Sequence, residues 1–298
     1  MRLKTLAAIV SFFLVTLNGV ARAQRPAPET SPAWNDNTLI AVQKKGGDPT
    51  RWGDVKIEFY GHDAFKITSP DGLTVLTDPW RNDATGRYPK WFRRRFPAIR
   101  ADIVLSTHAH FDHDAVERPR GLMVLERFVG QFKLGDIEIT GLADKHKCEP
   151  APADRPDETC PPNNVIALDN AIQLIETGGL RIAIWGDNRA TPDPFLDHYL
   201  NDVDVLILPV EAVLTRAEAD AIVAKYNPKA VIPAHYFVTG LTTVVSGVES
   251  VDGWVNDQEK VPHADVRRLD RAELTLNAAE LKGAHRRIYY FGNHIEEK

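Results

Sequence analysis

Short apolar runs punctuated by turn residues dominate the chain from Val55 onward. VKIEF (55–59), AFKIT (64–68) and LTVLTD (73–78) read as opening strands, with Ser69-Pro70-Asp71-Gly72 as a turn. ADIVLST (101–107) reads as a buried strand, followed by MVLERF, DIEITGL, NVIAL and IQLIE. RIAIWGD (181–187), DVLILPV (204–210) and AVIPAH (230–235) are apolar runs that end in polar residues or a turn. Between the last two, Arg216 to Tyr226 has helical spacing, and Thr215 is placed to cap it. The order, strands first and then strand alternating with helix, predicts a layered α/β domain with two sheets. The tail 247–298 reads as part of the same domain, with a charged helix-like ADVRRLDRAEL and a closing apolar RIYYF.

The first 23 residues have a different pattern. Arg2 and Lys4 precede an apolar run from Leu6 to Leu17, and Ala21-Arg22-Ala23 supplies an A-x-A cleavage site. This predicts a secretory signal peptide, too short for a comfortable membrane span, and hence a secreted or periplasmic protein. Residues 24–52 are rich in Pro, Asn, Gly and Thr and read as an arm leading into a domain over 53–298.

The chain has 298 residues, 43% hydrophobic and 26% charged, which is globular composition and excludes a disordered or polytopic membrane protein. Its net charge of −5 gives no general footprint for nucleic acid, and removing the leader takes away three bases and no acid. A small-molecule substrate is the expected partner; oligomeric state stays open. Two cysteines, Cys148 and Cys160, exclude a zinc module of four thiolates. In an oxidising compartment they are expected to close a loop, the alternative being Cys148 as a metal ligand beside His146.

The chemistry concentrates in Ser106-Thr107-His108-Ala109-His110-Phe111-Asp112-His113-Asp114, which begins where a strand ends. H-x-H-x-D-H supplies the imidazole nitrogens and carboxylate oxygens that Zn²⁺ and related ions bind. In an extended segment His108 and His110 point the same way, and Asp112 and His113 can face a second position. His146, Asp187 and His235 each lie just past an apolar run and can converge on the same edge.

The chain resembles the metallo-β-lactamase-fold hydrolase superfamily in order from about Val55 to His235. Gly61-His62 and Thr77-Asp78-Pro79 are similar to its opening segment, THAHFDHD (107–114) to its signature loop. His146, Gly186-Asp187 and Pro233-Ala234-His235-Tyr236 fall where its later motifs stand. The Gly-His opening and Pro-x-His-Tyr ending resemble most the ascorbate-phosphate-lactonase-like branch; N-acyl-phosphatidylethanolamine phospholipase D is more distant. The resemblance implies an αβ/βα four-layer sandwich with two divalent metal ions, Zn²⁺ or Mn²⁺. It implies His108, His110 and His146 on the first, Asp112, His113 and His235 on the second, and Asp187 bridging. Asp78 would orient ligands, and the role of His62 is open between a site-facing and a structural group. The implied reaction is hydrolysis of an ester, lactone or related bond by a metal-bridged hydroxide, with Asp112 orienting it or moving its proton. Phosphodiester or phospholipase D-like cleavage, and metal binding without catalysis on the same fold, are the alternatives.

Trp91-Phe92-Arg93-Arg94-Arg95-Phe96 reads either as a solvated edge whose arginine stems cover apolar surface, or as a lid or anion-recognising element. Tyr236 and Phe237 could line a pocket or pack in the core. His198, His263, His285 and His294 have no ligand spacing.

Overall fold

A computed structural model describes residues 47–147 and 169–297. The leader, most of the arm, NVIAL and both cysteines lie outside the described residues. No helix among the described residues is long and apolar enough to cross a membrane.

Strands come first, because the opening sequence alternates apolar and polar positions. β1 (Val55–Phe59), β2 (Phe65–Thr68) and β3 (Thr74–Thr77) form an antiparallel meander. β4 (Arg100–Ser106) then adds to β3 in parallel, with Val75 beside Ile103, and β5 (Arg120–Glu126) adds to β4. β6 (Gly130–Leu134), β7 (Ile137–Asp144), β8 (Asn170–Thr177) and β9 (Leu180–Ile184) are successive antiparallel neighbours. β10 (Val205–Pro209) and β11 (Ala230–Ala234) are fully buried and run parallel to β9, as their unbroken apolar sequences require. The helix Arg216–Tyr226 joins them, closed at its start by a reciprocal capping box between Thr215 and Glu218.

The tail corrects one expectation. ADVRRLDRAEL is not a helix but two short strands, β12 (Asp265–Arg268) and β13 (Glu273–Leu276), separated by a turn. Its last residues alternate, Glu273 and Thr275 outward, Leu274 and Leu276 buried, and this period of two pairs β13 with β1. β12 pairs with β14 (Arg287–Tyr290) instead, so the two halves of one charged segment edge different sheets.

The result is a six-stranded sheet, β13-β1-β2-β3-β4-β5, and an eight-stranded sheet, β12-β14-β11-β10-β9-β8-β7-β6. Buried side chains from both form one continuous cluster that includes Ile57, Ile103, Ile175 and Ile207. The helical layers are thin: among the described residues, beside Arg216–Tyr226 the α-helices are a single turn, Asp197–Leu200, and Asp252–Gln258. Strand direction positions the site. β1, β3 and β4 run one way in the first sheet, and β7, β9, β10 and β11 run one way in the second. The residues just past the carboxyl ends of these strands supply the chemistry.

Candidate metal centre

Each site residue sits on the turn that ends a strand. His62 and Asp63 follow β1, Asp78 follows β3, and His108 to His113 follow β4. His146 follows β7, Asp187 follows β9, and His235 follows β11. His62, Asp78 and His235 have φ of 60°, 41° and 56°, left-handed values that side chains rarely adopt and that cluster at functional sites. They turn the chain sharply where the strand stops. The His235 amide donates to the His62 carbonyl at 2.8 Å, tying the two sheets together at the site itself. Gly186, at φ 56°, lets β9 pass so close to Thr107 that a Cβ there would lie 2.6 Å from the Thr107 hydroxyl. Local pairing holds His146 beside Asp187: His146 bridges Asn188, and the Lys147 amide donates to the Asp187 carbonyl at 2.7 Å.

All seven residues singled out as ligands come together, in two groups. His108, His110, His146 and Asp187 offer ligand atoms within 4.8 Å of one another, as do His62, Asp112, His113 and His235. Asp187 joins the groups: its Oδ2 lies 3.3 Å from His146 Nε2 and 3.6 Å from His108 Nε2, its Oδ1 3.3 Å from His113 Nε2 and 3.6 Å from His235 Nε2. Asp112 Oδ2 lies 2.9 Å from His62 Nε2, 3.4 Å from His235 Nε2 and 3.6 Å from His113 Nε2.

The far sides of the His108, His113 and His146 rings are anchored. Asp78 accepts from the Thr107 amide and hydroxyl, both at 2.7 Å, and its Oδ2 stands 2.9 Å from His113 Nδ1. Thr107 Oγ1 is 3.0 Å from His108 Nδ1, and the Lys147 carbonyl is 2.6 Å from His146 Nδ1. These contacts leave the Nε2 atoms facing inward. His108 Nε2, His113 Nε2, His235 Nε2 and Asp187 Oδ1 are buried with no hydrogen-bond partner. Native proteins rarely orphan buried polar atoms. Four inward-facing orphans, on imidazoles and a carboxylate, fit a divalent cation and little else.

The electrostatics agree. Burial holds His108 down at about 3 and also lowers His110, His113 and His62, which favours the uncharged form that binds a cation. Burial alone would raise Asp112 and Asp187, yet His113 and its neighbouring rings hold both well below the usual carboxylate range. Burial would likewise lower His235, but Asp187 and Asp112 lift it to about 9.

Two residues belong here beyond the seven. His62 is completely buried, faces Asp112 and lies with its ring centroid 3.7 Å from that of His235, so it is site-facing. Asp63, which sequence reasoning missed, is buried 3.7 Å from His113 Nδ1, and burial pushes it up to about 7. Its signal was adjacency to the Gly-His pair. Tyr236 packs in the core, donating to the Gly292 carbonyl at 2.9 Å.

Between the groups and the surface lies a cavity of about 260 Å³. Tyr88, Trp91 and Phe111 form one wall, Ala212 and Val213 another, and His110, His146, Asp112, Asp187 and His235 the floor. Trp91 meets Phe111 edge-on at 5.1 Å. The cavity's lysine, Lys147, is neutralised by Glu218 at 2.7 Å.

A family model described as beta-lactamase superfamily domain matches residues 56–235, the span that carries every one of these residues. The chain belongs to the metallo-β-lactamase-fold superfamily of metal-dependent hydrolases. Among its superfamily relatives is a UPF0173 metal-dependent hydrolase of Koribacter versatilis, 28% identical over 226 residues, covering 66% of this chain and 89% of the relative. A UPF0173 metal-dependent hydrolase of Thermodesulfovibrio yellowstonii is 25% identical over 222 residues, covering 62% and 79%. Among solved structures, a metallo-β-lactamase superfamily protein from Thermotoga maritima shares the fold with a TM-score of 0.55 at 20% identity, covering 81% of this chain and all of that one. Among the described residues, the two His/Asp groups above and a third, Asp63 with His113 and Asp187, are able to hold metal.

Proposed function

We propose that this protein is an exported dinuclear hydrolase that cleaves an ester, lactone or related bond of a small molecule. The observation that carries the reading is the convergence of two ligand groups, sharing Asp187, at the floor of one cavity. His108, His110, His146 and Asp187 would hold one divalent ion, and Asp112, His113, His235 and Asp187 the other, with His62 beside the second. Zn²⁺ suits this nitrogen-rich set, and Mn²⁺ is accepted by it. Bound there, such ions lower the pKa of water and polarise a scissile carbonyl.

The chain's own residues do the rest. Asp112 is buried, ionised and braced by His62 at 2.9 Å, so it can orient a water molecule as a hydrogen-bond acceptor. The aromatic wall excludes bulk water and packs the apolar part of the substrate. Because Glu218 pairs with Lys147 at 2.7 Å, the pull of this cavity on a substrate oxygen would come from the bound ions rather than from a side-chain cation. Export rests on the leader-like first 23 residues.

The test is metal analysis of the natively exported protein, followed by a panel of esters, lactones, phosphodiesters and β-lactams with that metal restored. The expected result is about two equivalents of metal and turnover of esters or lactones. A protein free of metal, or one inactive on both classes, overturns the reading.

A further inference from the structure

Behind the aromatic wall lies a second hollow, of about 310 Å³, whose character is opposite to that of the metal cavity. Arg81, Lys90, Arg93, Arg94, Arg95 and Arg118 line it over a floor of Phe92 and Phe96, and no acidic side chain lines it. Two carboxylates reach its cations from outside. Glu117 lies 2.9 Å from Arg81 and 3.5 Å from Arg118, and Glu297 lies 2.6 Å from Arg94. Lys90, Arg93 and Arg95 form no ion pair among the described residues. Six cations therefore face two anions, in a chain whose net charge is −5.

An arginine stem covering a phenylalanine explains one such residue, but not a ring of them around a concavity. Like charges gathered on one hollow repel unless an anion sits between them. The segment that carries them is also held in place. Asn82 clasps Phe92 through both its carbonyl (2.9 Å) and its amide (2.8 Å), the Arg93 amide donates to the Leu241 carbonyl at 2.8 Å, and Phe92 bridges Thr242. The Phe92 ring stacks on Trp80 at 4.3 Å between centroids. Fixed backbone reduces the ordering cost of binding.

We propose that this hollow is a binding site for a multiply charged oxyanion of the phosphate type. Guanidinium forks match phosphate oxygens two at a time, and five arginines converge here with two carboxylate competitors among the described residues. Arg81 connects the site to the metal loop. Its amide donates to the Phe111 carbonyl at 3.0 Å and its guanidinium to the Asp114 carbonyl at 3.0 Å. The same strip places Trp91 in the metal cavity and its neighbours Arg93 and Arg95 in the basic one. The proposal is independent of which bond the metal centre cleaves.

The test is isothermal titration of the metal-loaded protein with inorganic phosphate at low and high sodium chloride. Saturable binding that weakens with salt is expected. R93E/R95E should weaken it about tenfold or more, with metal content and turnover of a neutral ester unchanged. H110A, which alters the metal cavity, should leave it in place and so separate this site from phosphate on the metals. Should R93E/R95E misfold by circular dichroism, R95Q must still weaken binding measurably. Absence of saturable binding, an unchanged isotherm in the arginine variants, or loss of the isotherm in H110A overturns the proposal. A failed hydrolase panel would leave these outcomes untouched.

Discussion

His62 Nε2 stands 2.9 Å from Asp112 Oδ2, so a residue fifty positions earlier in the chain braces the carboxylate of H-x-H-x-D-H. The pair is buried, with the ring wedged between His235 and the edge of Phe92. H62A removes that brace and opens a void beside the inner ligand group. The expected outcome is a loss of activity or metal affinity of about 10- to 100-fold, the usual cost of removing a group that orients a ligand. Chelator competition and kcat/KM on the same preparation measure both; wild-type values in both would make His62 a bystander.

Asp78 is expected to matter as much without facing the cavity. Its two oxygens hold Thr107 and His113, and Thr107 in turn lies against His108 Nδ1. D78N keeps the shape but replaces an acceptor with a donor. A reduction in metal affinity of about 10- to 100-fold follows, with little change in secondary structure. Titration with a fluorescent chelator reads it directly.

Gly186→Ala tests the close approach of β9. An alanine at φ 56° is strained, and its Cβ would meet the buried Thr107 side chain, shifting the neighbouring Asp187. The backbone strain alone costs about 1–3 kcal/mol. Urea denaturation should show that loss, and metal stoichiometry should fall with it. An unchanged midpoint would mean the turn relaxes freely.

The metal-free protein should lose stability as pH rises above neutral. His235 is raised to about 9 in the folded chain from an ordinary 6.5, so its contribution is complete below 6.5 and is lost as pH rises through 9. Asp63, pushed up by burial to about 7, loses its contribution in the same direction and offsets the acid-side loss from His108, which is held down at about 3. Thermal melts of the chelated protein across pH 4 to 10 should show the fall between about 6.5 and 9. Metal uptake must displace the His235 proton, so apparent affinity should rise between pH 6.5 and 9.

Trp91 is placed to recognise rather than react. It meets Phe111 edge-on in the cavity wall and lies 6.2 Å from the His62 ring. W91A should raise KM about three- to tenfold for an ester with an aromatic substituent, in line with about 0.5–1.5 kcal/mol for an aromatic pair. An acetyl ester should change little. Steady-state kinetics on the two substrates, side by side, distinguish the wall from a structural prop.

The sequence by itself determined most of the strands, though not β6, and the chemistry they end in. Apolar runs that stop at His108, Asp187 and His235 mark both a buried strand and a polar group at its carboxyl end, because burial ends where a hydrogen-bonding side chain must be satisfied. Thr215 and Glu218 likewise announced their helix, since a cap is a local interaction. The charged tail misled because its short edge strands show too few turns of either period to separate 2.0 from 3.6. Only the tertiary structure decided which residues meet across the two sheets. His62 and Asp63 joined the centre because β1 runs parallel to β3 and β4 within one sheet, and because the His235 amide pins the His62 turn to the other. Such pairings depend on sheet order and strand direction, which are set by the shared core and leave no mark on the local spacing of any one segment.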